Sequence, residues 1–397
     1  DLPDIGGEAL IIDVSAHVPD AITPIDPARY WDTRYEDTFD GDFRGTGRLG
    51  DDEVYKIRVA GRGDVPADAT GVVANLTVIF PDGPGFATIY PCTPTVPNAS
   101  TLNYGAGDVI ANNTVVPLDE NGDVCVSTLR GADYALDING FTPADSPVVG
   151  INPTRYLETR ASESTFDGQG LGGGRTGDDA VIEVQIADRG GVPADATAAI
   201  VNATIIFPDG PGFATLYPCG DVPTSSNINY AAGTVTPNGA ITQLSPTGTL
   251  CIYTLRSADV ILDVSGYVPD DVDTIETRSP DRFLDTRQGE TTVDGESAGE
   301  GRNPAGESIE VQITGRAGVP DDATAAIVNL GIIFPDGPGF ATLYPCGTVP
   351  GTSNLNHTSA GVVLANNAVT RLSPTGSLCI FTLTGADLIL DVTGHLE

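Results

Sequence analysis

Two polar features stand at matching places three times along the chain. One is an Arg-x-x-(Asp/Glu)-Thr-Arg phrase, found in PARYWDTR (27–34), PTRYLETR (153–160) and PDRFLDTR (280–287) and ending in Arg34, Arg160 and Arg287. The other is an aspartate inside an aliphatic closing run: Asp137, Asp263 and Asp391. A carboxylate among aliphatic side chains is drawn out of water, and a buried charge needs a partner. The phrase's arginines are the nearest repeated candidates, and a bidentate guanidinium–carboxylate pair satisfies both groups. The pattern predicts a structural polar network of Arg34, Asp137, Arg160, Asp263, Arg287 and Asp391. The other chemistry open to such a carboxylate is a glycan pocket.

Further recurring residues have chemistry of their own. Cysteines come in pairs: Cys92 and Cys125, Cys219 and Cys251, Cys346 and Cys379. Six cysteines allow fifteen pairings, and the repetition selects one disulfide per copy. Paired cysteine use of this kind implies an oxidising, extracellular setting. Asn75, Asn202 and Asn329 interrupt apolar runs, and Asn103, Asn229 and Asn356 recur in the LNY-like phrase. Asparagine is poor in strands, so its recurrence points to specific hydrogen bonds. Glycosylation acceptors of the N-x-S/T type are candidates at Asn98, Asn112 and Asn356. No C-x-x-C occurs, and His17, His357 and His395 do not recur together in the copies, so no metal site is expected. Nor is there a nucleophile–base pair, a phosphate loop or a dinucleotide fingerprint. No cofactor and no catalytic residue is expected. Arg62-Gly63-Asp64 spells an integrin-type tripeptide, but the other copies read RGG and RAG there, so it reads as a coincidence in a turn.

The elements that position these residues are repeats. FPDGPGFAT stands at 80–88, 207–215 and 334–342, unchanged. Around it recur GVPADAT-like phrases, an apolar run, YPC and a closing DVSGY-like run. The period of about 127 residues is domain-sized, too long for a solenoid turn or a propeller blade. Short β-branched runs bounded by Gly, Pro, Asn and Asp dominate, which is the signature of strands. Runs such as 198–207 and 325–334 are nearly all apolar, as for a strand buried on both faces. We therefore expect an all-β chain of three tandem β-sandwich (jelly-roll-like) domains with one disulfide each. Their bounds are 21–145, 146–271 and 272–397, joined by short proline-bearing segments and strung stiffly in a row. The repeated loop reads as turn chemistry, with Phe80 and Phe86 anchoring it on the core.

Composition restricts partners. Acidic residues number 54 against 19 basic ones, Lys56 is the single lysine, and the net charge is −35. Nucleic acid and anionic membrane surfaces would repel such a chain. No run of about 18 apolar residues occurs that could cross a membrane as a helix. The absence of methionine, even at position 1, reads as a processed chain or a fragment.

Taken together, the opening P-x-R-aromatic-x-D-T-R, the central GVP…V-x-N-x-T, PGF-x-T-x-YPC and the closing D-V-x-G-Y resemble a repeat of secreted and cell-surface proteins of actinobacteria. The resemblance covers nearly the whole chain, three times over. It implies an extracellular, non-catalytic, β-rich module and brings no catalytic residues to transfer. The acidity departs from that pattern and suggests a saline habitat.

Residues 8–17 repeat the closing strand before the first unit begins. Residues 1–20 are either the tail of an upstream unit or a strand offered to the next molecule, with Leu10, Ile11, Ile12, Asp13 and Val14 as the assembly residues. The expected function is a secreted structural protein that partners itself, head to tail, in a filament or surface layer. The alternative is a cell-wall or surface-glycan binding module that uses the variable loops at 35–53, 161–179 and 288–307.

Overall fold

The computed structural model describes residues 21–161, 163–223, 226–270 and 274–397. Leu10, Ile11, Ile12, Asp13 and Val14 therefore lie outside the described residues. Among the described residues there is no α-helix, and 24 strands form six four-stranded antiparallel sheets, two to each repeat.

The first repeat shows the pattern. Its strands are β1 (Thr23–Asp32), β2 (Val54–Arg58), β3 (Gly71–Ile79), β4 (Gly85–Pro91), β5 (Leu102–Tyr104), β6 (Val109–Pro117), β7 (Asp123–Thr128) and β8 (Asp133–Thr142). They pair in the orders β1-β8-β3-β6 and β2-β7-β4-β5, and both orders recur in the second and third repeats. Inward residues of the two sheets share one core, in which Leu76, Val78, Leu136 and Ile138 meet Ile57, Ile89, Val124 and Val126. Each repeat has its own core of this kind.

Every residue of β3 is buried, and so is every residue of its counterparts Ala198–Ile206 and Ala325–Ile333. A sheet with one face on a core and the other in water alternates apolar and polar. These strands do not, because a neighbouring repeat covers their outer face. A fourth apolar cluster draws on all three repeats, with Val73, Ile200 and Ile327 at one matching position, Val115, Ile241 and Val369 at a second, and Ile22, Val148 and Ile275 at a third. The three units are therefore not strung in a row. The first touches the second, the second the third and the third the first, which closes a ring of six sheets with threefold pseudo-symmetry.

Three disulfides pair Cys92 with Cys125, Cys219 with Cys251 and Cys346 with Cys379. Each closes a loop of 32 or 33 residues, worth about 3–4 kcal/mol by chain entropy. Each ties the exit of β4, or of its counterpart, to the neighbouring strand of the same sheet.

Candidate functional site at the unit seams

The repeated polar residues meet where one unit touches the next. Cross-strand register places Arg29 opposite Asp137, Asp137 opposite Asn75 and Asn75 opposite Asn113. One polar row therefore crosses the outer face of the sheet. Arg29 grips Asp137 through Nε at 2.8 Å and Nη2 at 3.1 Å. Arg155 grips Asp263 at 2.9 and 3.3 Å, and Arg282 grips Asp391 at 2.9 and 3.4 Å.

This amends the expected network. The aspartates' partner is the first arginine of the phrase, and Arg34, Arg160 and Arg287 do not reach them. Those last arginines fork instead onto Asp32, Glu158 and Asp285 within their own phrase. The same buried carboxylates accept a second bond from Arg29, Arg155 and Arg282 at 3.1–3.2 Å. The backbone N–H of Arg34, Arg160 and Arg287 also donates to that carboxylate, which holds the last arginine of the phrase beside it. Asp137, Asp263 and Asp391 have their carboxyls pushed upward by burial, against the pull of the paired arginine. Arg29, Arg155 and Arg282 are held protonated by those aspartates, which outweighs their own loss of solvent.

Each aspartate also reaches across a seam. The backbone N–H of Ser100 donates to Asp263 at 3.0 Å, that of Ser226 to Asp391 at 3.3 Å, and that of Ser353 to Asp137 at 3.5 Å. The serine carbonyls accept from Asn202, Asn329 and Asn75. Asn103, Asn229 and Asn356 brace the serine hydroxyls from their own side. Nearer the pseudo-axis, Asn112 donates to Asn202 (2.7 Å), Asn238 to Asn329 (2.9 Å) and Asn366 to Asn75 (3.1 Å). Their carbonyl oxygens accept the N–H of Gly239, Asn367 and Asn113. Gly239 stands where the other units carry asparagine, and a Cβ there would run into the Asn113 carbonyl.

The seam overturns one glycosylation candidate. Asn112 is 0 % exposed and its amide is committed to two bonds, so no glycan is attached there in the folded chain. Asn356 is half-buried and tied to Ser353, whereas Asn98 is exposed.

The loop end carries a second repeated arrangement, and it corrects the expected anchoring by phenylalanine. Phe80, Phe207 and Phe334 are 60 %, 58 % and 57 % exposed, each in the left-handed region with φ of 47–49°. The anchor is an arginine from the variable stretch. Arg48 donates to the Phe80 carbonyl (2.7 Å), the Gly131 carbonyl (2.9 Å), Asp82 (2.7 Å) and Asp133 (3.0 Å). Arg175 and Arg302 repeat every contact.

A fourth arginine set closes the variable loops. Arg62 forks onto Asp40, Arg189 onto Asp167 and Arg316 onto Asp294, each lying over an aromatic ring. The Arg62 side chain is 9 % exposed, so the RGD tripeptide has its arginine folded inward, in keeping with a turn coincidence.

Arg48, Arg175 and Arg302 do not stand out in the sequence because they lie in stretches of differing length, where the copies fall out of register. The signal was a fixed spacing of 32 residues to the exposed phenylalanine.

The three disulfides suit an oxidising, extracellular environment. Among the described residues no helix is long and apolar enough to cross a membrane. A scan against models of protein families gives no match, and a search of curated proteins gives none. Among solved structures, the chain is similar to one from "Life in the extremes: atomic structure of Sulfolobus Turreted Icosahedral Virus". That match has 11 % identity and a TM-score of 0.20, over 88 % of this chain and 84 % of that one. It is also similar to a chain from "The Triple Jelly Roll Fold and Turret Assembly in an Archaeal Virus", at 10 % identity and a TM-score of 0.22, over 96 % of this chain and 99 % of that one. Likeness at this level assigns no role to any residue.

Proposed function

We propose that the chain is a secreted structural building block. Three jelly-roll sandwiches are locked into one ring, and the ring joins copies of itself head to tail in an extracellular filament or surface layer. The observation that carries this reading is where the repeated polar residues go. The recurring arginines, aspartates and asparagines named above have their partners inside the fold, at seams and loop braces. Residues repeated to hold a shape fit a building block better than a catalyst. The jelly-roll assignment rests on strand order: the chain passes back and forth between two sheets ordered β1-β8-β3-β6 and β2-β7-β4-β5, staying in one sheet only for the β4–β5 hairpin, as two Greek keys require. The likeness of the repeated phrases to a secreted actinobacterial repeat agrees with this role.

Heterologous contacts that close make rings, and those that do not close make filaments. The seams are used up within one chain, so contacts between chains fall to residues 1–20 and to the loop end with its three exposed phenylalanines. Electron microscopy and sedimentation of the full chain against a chain lacking residues 1–20 test this. Long particles from the full chain alone support the reading, and monomers from both refute it.

One observation favours the glycan-binding reading. Tyr35 stands 83 % exposed on the first variable loop, offering a ring face to a sugar. Retention of a monomeric chain on cell-wall resin, lost in Tyr35→Ala, would select that alternative.

A further inference from the structure

The third unit ends in an arrangement that the other two lack. His395 lies on the last strand (Asp387–Leu396) and pairs in register with Glu276 on the first strand of that unit (Ile275–Asp285). Glu397 follows His395 by two residues, and its N–H donates to the Thr274 carbonyl at 3.2 Å. Alternation along a strand places residues i and i+2 on one face. Glu276, His395 and Glu397 therefore share that face.

Their geometry is specific. The His395 side chain is 0 % exposed, and neither ring nitrogen has a hydrogen-bond partner. Its Nε2 points between two carboxylates, 3.5 Å from Glu397 Oε1 and 3.7 Å from Glu276 Oε2. The three donor atoms lie within 4.8 Å of one another. Donors about 2.0–2.2 Å from a tetrahedral metal stand roughly 3.3–3.6 Å apart, close to the two histidine–carboxylate spacings of 3.5 and 3.7 Å. Buried polar groups without a partner are rare in native folds, and each calls for a cause such as a bound ion.

We propose that Glu276, His395 and Glu397 bind one divalent transition-metal ion, with zinc as the type. The imidazole supplies a nitrogen ligand and the two carboxylates balance the ion's charge, leaving further positions to water. The imidazole favours zinc over magnesium and calcium, which prefer oxygen donors alone. The site would clip the last strand of the third unit to its first, at the joint where Ala21 also donates to Thr274. It is confined to one unit, because the same cross-strand pair is Thr23 with Phe141 in the first and Val149 with Tyr267 in the second.

Those neighbours supply the control. His395→Phe places there the residue that the first unit already folds around. The test is calorimetric titration of the full chain with zinc in millimolar magnesium, which saturates the many surface carboxylates, together with visible spectroscopy of cobalt as a stand-in. The expected result is one equivalent of zinc bound, a tetrahedral or five-coordinate cobalt band, and a melting temperature raised by zinc. His395→Phe should weaken binding roughly tenfold or more and abolish the band. Glu276→Gln, at a solvent-exposed carboxylate, should weaken it similarly and covers the case in which the histidine variant fails to fold. Weak binding of several equivalents, alike in all three proteins, overturns the proposal. So does a chain whose melting temperature and cobalt spectrum are indifferent to the metal.

Discussion

At the scale of single residues, the buried Arg155–Asp263 pair is the most consequential ion pair, because it holds its own sheet and a neighbour's serine loop together. Asp263→Ala leaves Arg155 buried with Glu158 alone and strands the Ser100 N–H. Breaking a buried pair from one side costs about 3–5 kcal/mol, and denaturant melts should show a loss of that order. Asp263→Asn keeps an acceptor for Ser100 and should cost distinctly less; equal losses would sink the assigned role. Asp294 gives a pH prediction. The fork from Arg316 holds its carboxyl down from 3.8 to about 2, and Asp40 and Asp167 shift the same way. A depressed carboxylate contributes stability that is present above its unfolded value and is lost as pH falls through its folded value. This share should therefore disappear between about pH 4 and about pH 2, and Asp294→Asn should flatten that limb of the acid melt. The aspartates and the terminal arginines of the phrase were visible in the sequence because they recur among aliphatic or aromatic neighbours. Which arginine meets which carboxylate was not visible, because three groups within six residues can pair in more than one way until the strand end fixes their directions.

At the scale of elements, the strands and the disulfides could be read from β-branched runs, turn residues and paired cysteines. The repeated FPDGPGF loop was read as turn chemistry, and it forms a sharp bend between β3 and β4, but Phe80 does not anchor it on the core. Turn chemistry sits in local sequence, whereas the anchor, Arg48, lies 32 residues upstream. A bulky residue in the left-handed region is an outlier that the surroundings must hold in place. Replacing Phe80, Phe207 and Phe334 together by glycine relieves that conformation and removes exposed apolar surface. Set against glycine's greater freedom in the unfolded chain, stability should hold within about 1 kcal/mol per site. If the loop end joins molecules, the same triple variant should lose large particles in sedimentation while melting as before. A large fall in melting temperature would show instead that the rings support the fold.

At the scale of the whole molecule, the sequence displayed three copies but not that they touch. A period near 127 residues suits a string as well as a ring. The clue was the nearly continuous apolar run of β3 and its counterparts, broken mainly by one asparagine, which requires cover on both faces. That run was legible, and the identity of the cover was not, because nothing local distinguishes a unit's own core from a neighbour's. Since each unit offers the same pair of complementary surfaces, residues 146–271 produced alone should assemble into trimers in analytical ultracentrifugation. A stable monomer would show that the linkers, and not the seams, hold the units together. The joint at Thr274 has a topological consequence. Ala21 and Glu397 both bond to that one residue, so the path around the ring returns to its start. The order in which the units are written is then immaterial to the closed form. A circular permutant that opens the chain between the first and second units and links Glu397 to Ala21 describes the same object, cut at a different place.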